Sequence, residues 1–392
     1  MNPIEITASA IVTCLGQGKA PTLAALRSGV SGLAPCGFET VQLPTYVGEV
    51  AGAGDDLLPP GFDKFDCRNN RVAELALQAD GFLDRVAAAR ARYGAARIGI
   101  FVGTSTSGIL ETEIAYRHRQ DDGSLPKGFI YDERHSTFSL GAYLQQRLGL
   151  EGPSVVLSAA CATTAKAFAA AHRMIEAGLC DAALVGGADS LCLTTLYGFN
   201  ALCLTSRNPC KPFDATRDGI SLGEGAGFVL LEKPSSNDPM LLLGMGESSD
   251  AYHMSSPHPD GLGAKLAMQR ALDSAGLAPS DIAYLNLHGT ATPVGDRAED
   301  KAVLSLFGDQ IACSSTKGQT GHTLGAAGIV EAILTMLSLR EGVMPGTANL
   351  GTLDPDLGAT YLRAPQARRF TRAMSNSFGF GGNNCSLIFG AG

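Results

Sequence analysis

Four short stretches of the sequence concentrate the side chains able to do covalent or acid–base chemistry. In VVLSAACATTAKAFAAAHRM, residues 155–174, an apolar run ends at Ser158, and a single cysteine, Cys161, stands where an alanine-rich helix begins. A thiol at a helix N-terminus feels the partial positive charge of the macrodipole, which favours the nucleophilic thiolate. Cysteine is also among the most buried residue types, so a packing role for Cys161 stands beside the nucleophilic one. In LNLHGTATPVGDRAED, residues 285–300, a strand delivers His288 into a Gly-Thr-Ala-Thr turn. An imidazole at a strand end can donate or accept near neutral pH, or be a core histidine satisfied by backbone. Thr290 and Thr292 offer hydroxyls to a polar substrate tail. Asp296 and Glu299 are expected to complement the dipole of the next helix from its first turn.

The third stretch, SSTKGQTGHTLGAAGIVEA (314–332), holds Lys317 and His322 around Gly318 and Gly321, a loop able to aim both side chains at one cavity. Glu331 follows on a helix that reads as buried, where a lone carboxylate would be costly. Lys317 or an imidazole is the expected partner, and a purely structural ion pair is the alternative. The fourth, SNSFGFGGNN (375–384), surrounds Phe378 and Phe380 with glycines, so its backbone can approach a ligand and supply half of an oxyanion hole. Together, one cysteine, two histidines, a lysine and a Gly-Phe loop at successive strand ends point to nucleophilic acyl or thioester chemistry, with the second histidine suggesting a second carbonyl to polarise. There is no cysteine or histidine cluster at metal spacing, no G-x-G-x-x-G and no P-loop.

These residues need a framework of strand ends. Strands are expected at 97–103, 153–158, 182–189 and 227–233, with helices at 136–148, 162–176 and 191–202. The pattern restarts after the loop at 234–239. Strands are expected at 240–247, 282–289 and 311–316, helices at 261–276, after 294 and at 323–340, and two closing strands in RAMSNSFGF and CSLIFG. Strands alternating with helices predict an α/β fold with covered sheets. The restart divides the chain into 1–236, which carries Cys161, and 237–392, which carries both histidines, Lys317 and the Gly-Phe loop, within one compact body.

With 392 residues, 45% hydrophobic and 17% charged, the chain has ample core for such a body. A net charge of −8 without a basic run excludes nucleic acid as the partner, and an acidic protein partner would need a local basic patch. Ten scattered cysteines without a CxxC pair fit reduced thiols in a cytoplasm. The first residues lack a basic signal-peptide region, and no apolar run approaches the ~20 residues of a membrane span.

ACAT around Cys161, HGTATPVGD, STKGQTGHTLGAAG and MSNSFGFGG, with ITASAIVTCLG near the start, together resemble the β-ketoacyl-[acyl-carrier-protein] synthases, close to the elongating types I and II, over almost the whole chain. The resemblance implies the thiolase fold: duplicated halves in a five-layered αβαβα arrangement, usually a homodimer. It implies an acyltransferase that makes 3-oxoacyl-[acyl-carrier-protein] by decarboxylative Claisen condensation in fatty-acid or related chain elongation. Cys161 matches the acylated nucleophile, and His288 and His322 match the pair that holds the malonyl thioester. Lys317 matches the lysine that organises the site and Glu331 the supporting glutamate. Phe380 resembles the gating phenylalanine, flanked by Phe378 and Gly379, and its N–H with that of Cys161 would form the oxyanion hole. Thr290 and Thr292 match the threonines that contact the phosphopantetheine arm. In some relatives the residues matching Asn286, Glu331, Ser375 and Asn376 hold a monovalent cation. No cofactor is implied, since the substrates carry phosphopantetheine on the acyl carrier protein.

Arg68, Arg71, Arg207 and Lys211 are the expected docking cluster for that acidic carrier, with solvated surface charge as the alternative reading. Asn383 stands where relatives commonly have threonine, and Lys166 where they often carry an uncharged residue or histidine. These departures bear on acyl specificity and pathway, and a ketosynthase of an aryl-polyene or polyketide-type system, paired with a chain-length partner, would share the motifs. A non-catalytic chain-length factor usually lacks the nucleophile. A thiolase acting on coenzyme A carries a second cysteine in a Cys-x-Gly motif, which Cys385 does not match.

Overall fold

The computed structural model describes residues 1–54 and 57–391. Its framework strands are β1 (Ile4–Thr13), β2 (Ile98–Gly103), β3 (Ser154–Leu157), β4 (Ala182–Asp189), β5 (Gly225–Glu232), β6 (Met240–Ser249), β7 (Tyr284–Asn286), β8 (Ala312–Ser314), β9 (Thr360–Tyr361), β10 (Arg372–Gly379) and β11 (Asn383–Ala391). The helices that cover them are α1 (Arg68–Gln78), α2 (Phe82–Tyr93), α3 (Ile109–Arg117), α4 (Phe138–Leu148), α5 (Thr163–Glu176), α6 (Leu193–Ala201), α7 (Leu262–Ala275), α8 (Pro293–Phe307) and α9 (Ala327–Glu341).

The hydrogen-bonded path runs β9-β8-β7-β10-β11-β6-β1-β5-β4-β2-β3. From β1 outward the strands pair β1-β5-β4-β2-β3, and from β6 outward β6-β11-β10-β7-β8. In each half the first strand pairs antiparallel with the last, the last antiparallel with its predecessor, and the remaining pairs are parallel. The same topology is thus built twice, and the two sheets are joined strand to strand where Ile4 and Glu5 of β1 pair with Leu242 and Leu241 of β6.

Strands β2, β4 and β5 are buried along their whole length because both faces of the sheet are covered there. Along β4, Ala183 and Val185 face a central core with Phe168, Ile329, Ile333 and Phe389, while Ala182 and Leu184 face a second core with Val72, Phe82 and Tyr143. Leu285, Met374 and Ile388 pack outward against Met268, Leu272 and Val303 of α7 and α8. Period-2 alternation therefore sorts residues between cores rather than between core and water. Helices α5 and α9 fill the middle layer, α1, α2 and α4 one outer layer, and α7 and α8 the other, giving the expected five-layered αβαβα arrangement.

Several expected elements come out shorter, among them the strand expected over 311–316, which is Ala312–Ser314, and in two the cause is visible. The helix expected over 323–340 begins at Ala327, after a 3₁₀ turn at Leu324–Ala326 in which Leu324 is left-handed (φ 52). The strand expected over 282–289 is paired only at Tyr284–Asn286, because beyond it Glu299 takes up the backbone N–H groups of His288 and Gly289. No helix among the described residues is long and apolar enough to cross a membrane.

Candidate active site

Cys161 lies in the turn between β3 and α5, two residues before the helix begins. Thr163 of the first helical turn shapes it: its hydroxyl donates to the Ala160 carbonyl (2.6 Å) and accepts from the Ala159 N–H (2.7 Å). Ala160 takes the left-handed conformation (φ 49), a local strain that small side chains tolerate best and that marks functional turns. The sulfur is buried and meets two groups from the other half of the chain. The Phe380 backbone N–H donates to it, and His322 Nε2 stands 3.0 Å away. His288, just past β7, completes the group: the Cys161 sulfur and one nitrogen of each imidazole lie within 4.8 Å of one another, with the rings edge-on at 84°.

Burial pushes the Cys161 thiol up to about 11, against the opposing pull of the Lys317 charge and the Phe380 N–H. Desolvation therefore outweighs the lowering that a helix N-terminus alone leads one to expect, and the resting nucleophile is a thiol beside an imidazole. Burial, with the Lys317 ammonium nearby, holds His288 and His322 well below the usual histidine range, so both are neutral at pH 7. Lys317 donates to the His288 carbonyl (2.6 Å) and faces His288 Nδ1 at 3.4 Å. An ammonium only donates, so this favours the His288 tautomer with its proton on Nε2. Lys317 also pairs with Glu331, which burial raises against the pull of that same ammonium.

A pocket of about 180 Å³ opens over these groups, lined by Cys161, His288, His322, Phe378, Gly379 and Phe380. Thr290 and Thr292 line its approach, their hydroxyls 3.0 Å apart. The Phe380 ring lies 5.7 Å from that of Phe199 on α6, a contact that no motif in the sequence announced. Gly379 closes the wall: a Cβ there would lie 3.0 Å from the Cys161 nitrogen and 3.1 Å from that of Ala162.

Several expectations change. Glu299 lies in the second turn of α8 rather than the first: buried, it accepts the N–H groups of His288 and Gly289 at 2.8 Å each and holds the histidine turn. Asp296 likewise turns inward, accepting from Phe213 and Ala291, which are both left-handed, and burial raises it to about 7. The four candidate cation-holding residues divide. Asn286 pairs in register with Ser375, and Asn286 Oδ1 and Glu331 Oε2 are buried acceptors that lack a hydrogen-bond partner. The Asn376 side chain turns the other way, to Glu299 (3.3 Å) and Ser386 (2.8 Å), since neighbouring residues of a strand face opposite sides.

Two expected docking residues are corrected as well. Arg68 is spent on a two-point pair with buried Glu224 (2.6 and 2.8 Å) and a contact to Glu49, and Arg71 on a two-point pair with Asp66 (2.6 and 2.7 Å). Both side chains are only 12% exposed, because the first turn of α1 faces inward. Arg207 is exposed, and Lys211 reaches Thr216 at 2.6 Å. Lys166 pairs with Glu247 (3.2 Å), and Cys385 is buried in β11 and does not line the pocket.

The family models for the beta-ketoacyl synthase N-terminal domain and C-terminal domain match residues 1–237 and 240–351. A 3-oxoacyl-[acyl-carrier-protein] synthase 2 from Staphylococcus aureus is 36% identical, covering 75% of this chain and 77% of that protein. One of the same name from Vibrio cholerae serotype O1 is 34% identical over 98% of both. The solved complex of a ketosynthase with its chain length factor from Xenorhabdus doucetiae holds a chain that superimposes with a TM-score of 0.91 at 36% identity, covering 100% of this chain and 98% of that one.

Proposed function

Because the chain belongs to the β-ketoacyl synthase family, we propose that it is a 3-oxoacyl-[acyl-carrier-protein] synthase of the thiolase fold, an acyltransferase that lengthens an acyl chain by two carbons. The observation that carries the reading is the meeting of Cys161 Sγ, His322 Nε2 and the Phe380 N–H, with His288 in the same pocket. Residues 1–236 supply the nucleophile and 237–392 both imidazoles.

Cys161 attacks the acyl thioester on acyl carrier protein, forming acyl-Cys161 and releasing the phosphopantetheine thiol, which ends with the cysteine's proton. Malonyl carrier protein then enters past Thr290 and Thr292. Neutral His288 and His322 donate to its thioester carbonyl, and the bond to the carboxylate breaks, releasing carbon dioxide and leaving an enolate. Neutral donors suit that oxygen, where carboxylates would repel it. The enolate carbon attacks the acyl-Cys carbonyl, whose oxygen faces the N–H groups of Phe380 and Cys161. Collapse expels the Cys161 thiolate and yields the 3-oxoacyl carrier protein. Lys317, held by Glu331, keeps His288 in its donor tautomer. Asn286 Oδ1 and Glu331 Oε2, both without a hydrogen-bond partner, fit a monovalent cation, which would supply fixed positive charge behind Lys317.

Arg207 and Lys211 are the remaining cations for an acidic carrier, and unpaired cysteines fit a cytoplasmic location. The likeness to a chain solved with a chain length factor supports a second arrangement, in which this chain pairs with such a partner rather than with its own copy. A purely non-catalytic role is opposed by the complete Cys161–His288–His322 group.

Intact-mass analysis of wild type and Cys161→Ala with acyl carrier proteins of varied chain length tests the reading. Wild type alone should gain an acyl adduct and lose it to a 3-oxo product two carbons longer when malonyl carrier protein is added. Absence of an adduct with every acyl group would overturn the single-chain reading and point to the partner-dependent one.

A further inference from the structure

The His322 ring has no hydrogen-bond partner among the described residues except the sulfur it serves. Its Nδ1 is buried with no hydrogen-bond partner, and its Nε2 faces the reacting sulfur. Apart from packing, what places the imidazole is its backbone, and that backbone is gripped by the other half of the chain. The His322 N–H donates to the Ser221 carbonyl (2.8 Å), and the Gly223 N–H donates to the His322 carbonyl (3.0 Å). The turn that follows is caught at Gly325 from both sides. Its N–H donates to Asp189 at 2.5 Å, and its carbonyl accepts the Thr164 hydroxyl at 2.6 Å.

Asp189 sits at the end of β4, fully buried. It also accepts from the Ser105 N–H (2.7 Å), the Thr106 N–H (2.9 Å), and the hydroxyls of Thr104 (2.8 Å), Ser105 and Thr106 (2.8 Å). One carboxylate thus joins the turn after β2 to the turn after His322. The fit leaves no slack: a Cβ on Gly325 would lie 2.8 Å from Asp189 Oδ2. Thr164, three residues beyond Cys161 on α5, extends the grip by accepting from the Ile329 N–H at the start of α9 (2.9 Å).

We propose that Asp189 is a positioning residue that, with Thr164, clamps the 323–326 turn and thereby sets where the His322 imidazole stands relative to Cys161 Sγ. The proposal rests on the condensing reading, in which His322 serves malonyl decarboxylation while Cys161 can be modified independently of it. Asp189→Asn keeps the shape but turns an N–H toward a ring of donors, which loosens the turn.

Two rates on the full chain separate the possibilities: decarboxylation of malonyl carrier protein, and alkylation of Cys161 by iodoacetamide across pH. If wild type decarboxylates nothing, the condensing reading fails rather than the clamp. Given wild-type decarboxylation, Asp189→Asn should lower that rate by roughly 10²-fold, the scale of an ångström's misplacement. Alkylation should persist, its pH profile displaced to lower pH by loss of a negative charge near the thiol, where Lys317 and Glu331 are the other charges felt. Thr164→Val, which removes only the hydroxyl, should give the same split in smaller measure and decides the matter should Asp189→Asn not fold. Unchanged decarboxylation in the variants, or both rates falling together with thermal stability, would overturn the proposal.

Discussion

Lys317 serves two masters: it donates to the His288 carbonyl at 2.6 Å and neutralises Glu331, and both side chains are buried. Removing one member of such a pair strands the other charge out of water, whereas the intact pair contributes little net stability. Glu331→Gln should therefore cost about 3–5 kcal/mol in urea unfolding, while the Lys317→Met/Glu331→Gln double variant should recover part of that loss and stay inactive. That Glu331 would need a buried partner was legible in the sequence, because a lone buried carboxylate is costly; the choice between Lys317 and an imidazole was not, and the structure gives Lys317. The inward roles of Asp296 and Glu299 were not legible either. Asp296 falls in the first turn of α8, where a carboxylate satisfies the dipole whichever way it faces, Glu299 falls a turn later, and only the packed turn above α8 shows that both point at backbone N–H groups.

Between residue and fold lies the contact of β10's end with the turn before α5. Gly379 permits it, and the Phe380 N–H on the sulfur depends on it. Gly379→Ala would push against two backbone nitrogens that cannot yield without moving the nucleophile. Condensation should fall by about 10²-fold, as for a lost oxyanion donor, while the thermal midpoint moves little; full activity would show that the two elements have room to part. Most elements were readable from apolar runs bounded by glycine, β4 to the residue. The late start of α9 was not. Gly325 weakens the helix there but does not place its start, and the left-handed Leu324 precedes an N–H held by Asp189, a residue remote in sequence.

At the scale of the molecule, five layers leave many thiols dry. Burial pushes Cys161 and Cys210 up to about 11 and Cys14, Cys192 and Cys385 to about 12, and raises Cys67 and Cys313 well above the usual thiol range. A folded-state value raised above the unfolded one gives stability that is complete below the unfolded value and lost as pH rises. Above about pH 9 the unfolded chain sheds these protons and the folded chain keeps them. Unfolding free energy measured in urea should hold up to about pH 8.5 and then fall, by roughly 1.4 kcal/mol per pH unit for each thiol ionised in the unfolded chain alone. A flat profile to pH 10.5 would show that the thiols are hydrated. The duplicated topology was legible only as a restart of the pattern near residue 240, because strand order is a matter of pairing between distant segments.

That order also sets a timetable. β1 is made first, yet its partners are β5, where Ala10 meets Phe228, and β6, where Ile4 meets Leu242. During synthesis β1 has only a short local pairing with Gly16 and Gln17 until both segments have left the ribosome, and β6 in turn waits for β11, the last strand described. Neither half can close its sheet early, and contacts of such long sequence separation form slowly. The nucleophile's half therefore closes its sheet only when β5, the last of its strands, has been made, and β1 is open to misassociation for most of that half's synthesis.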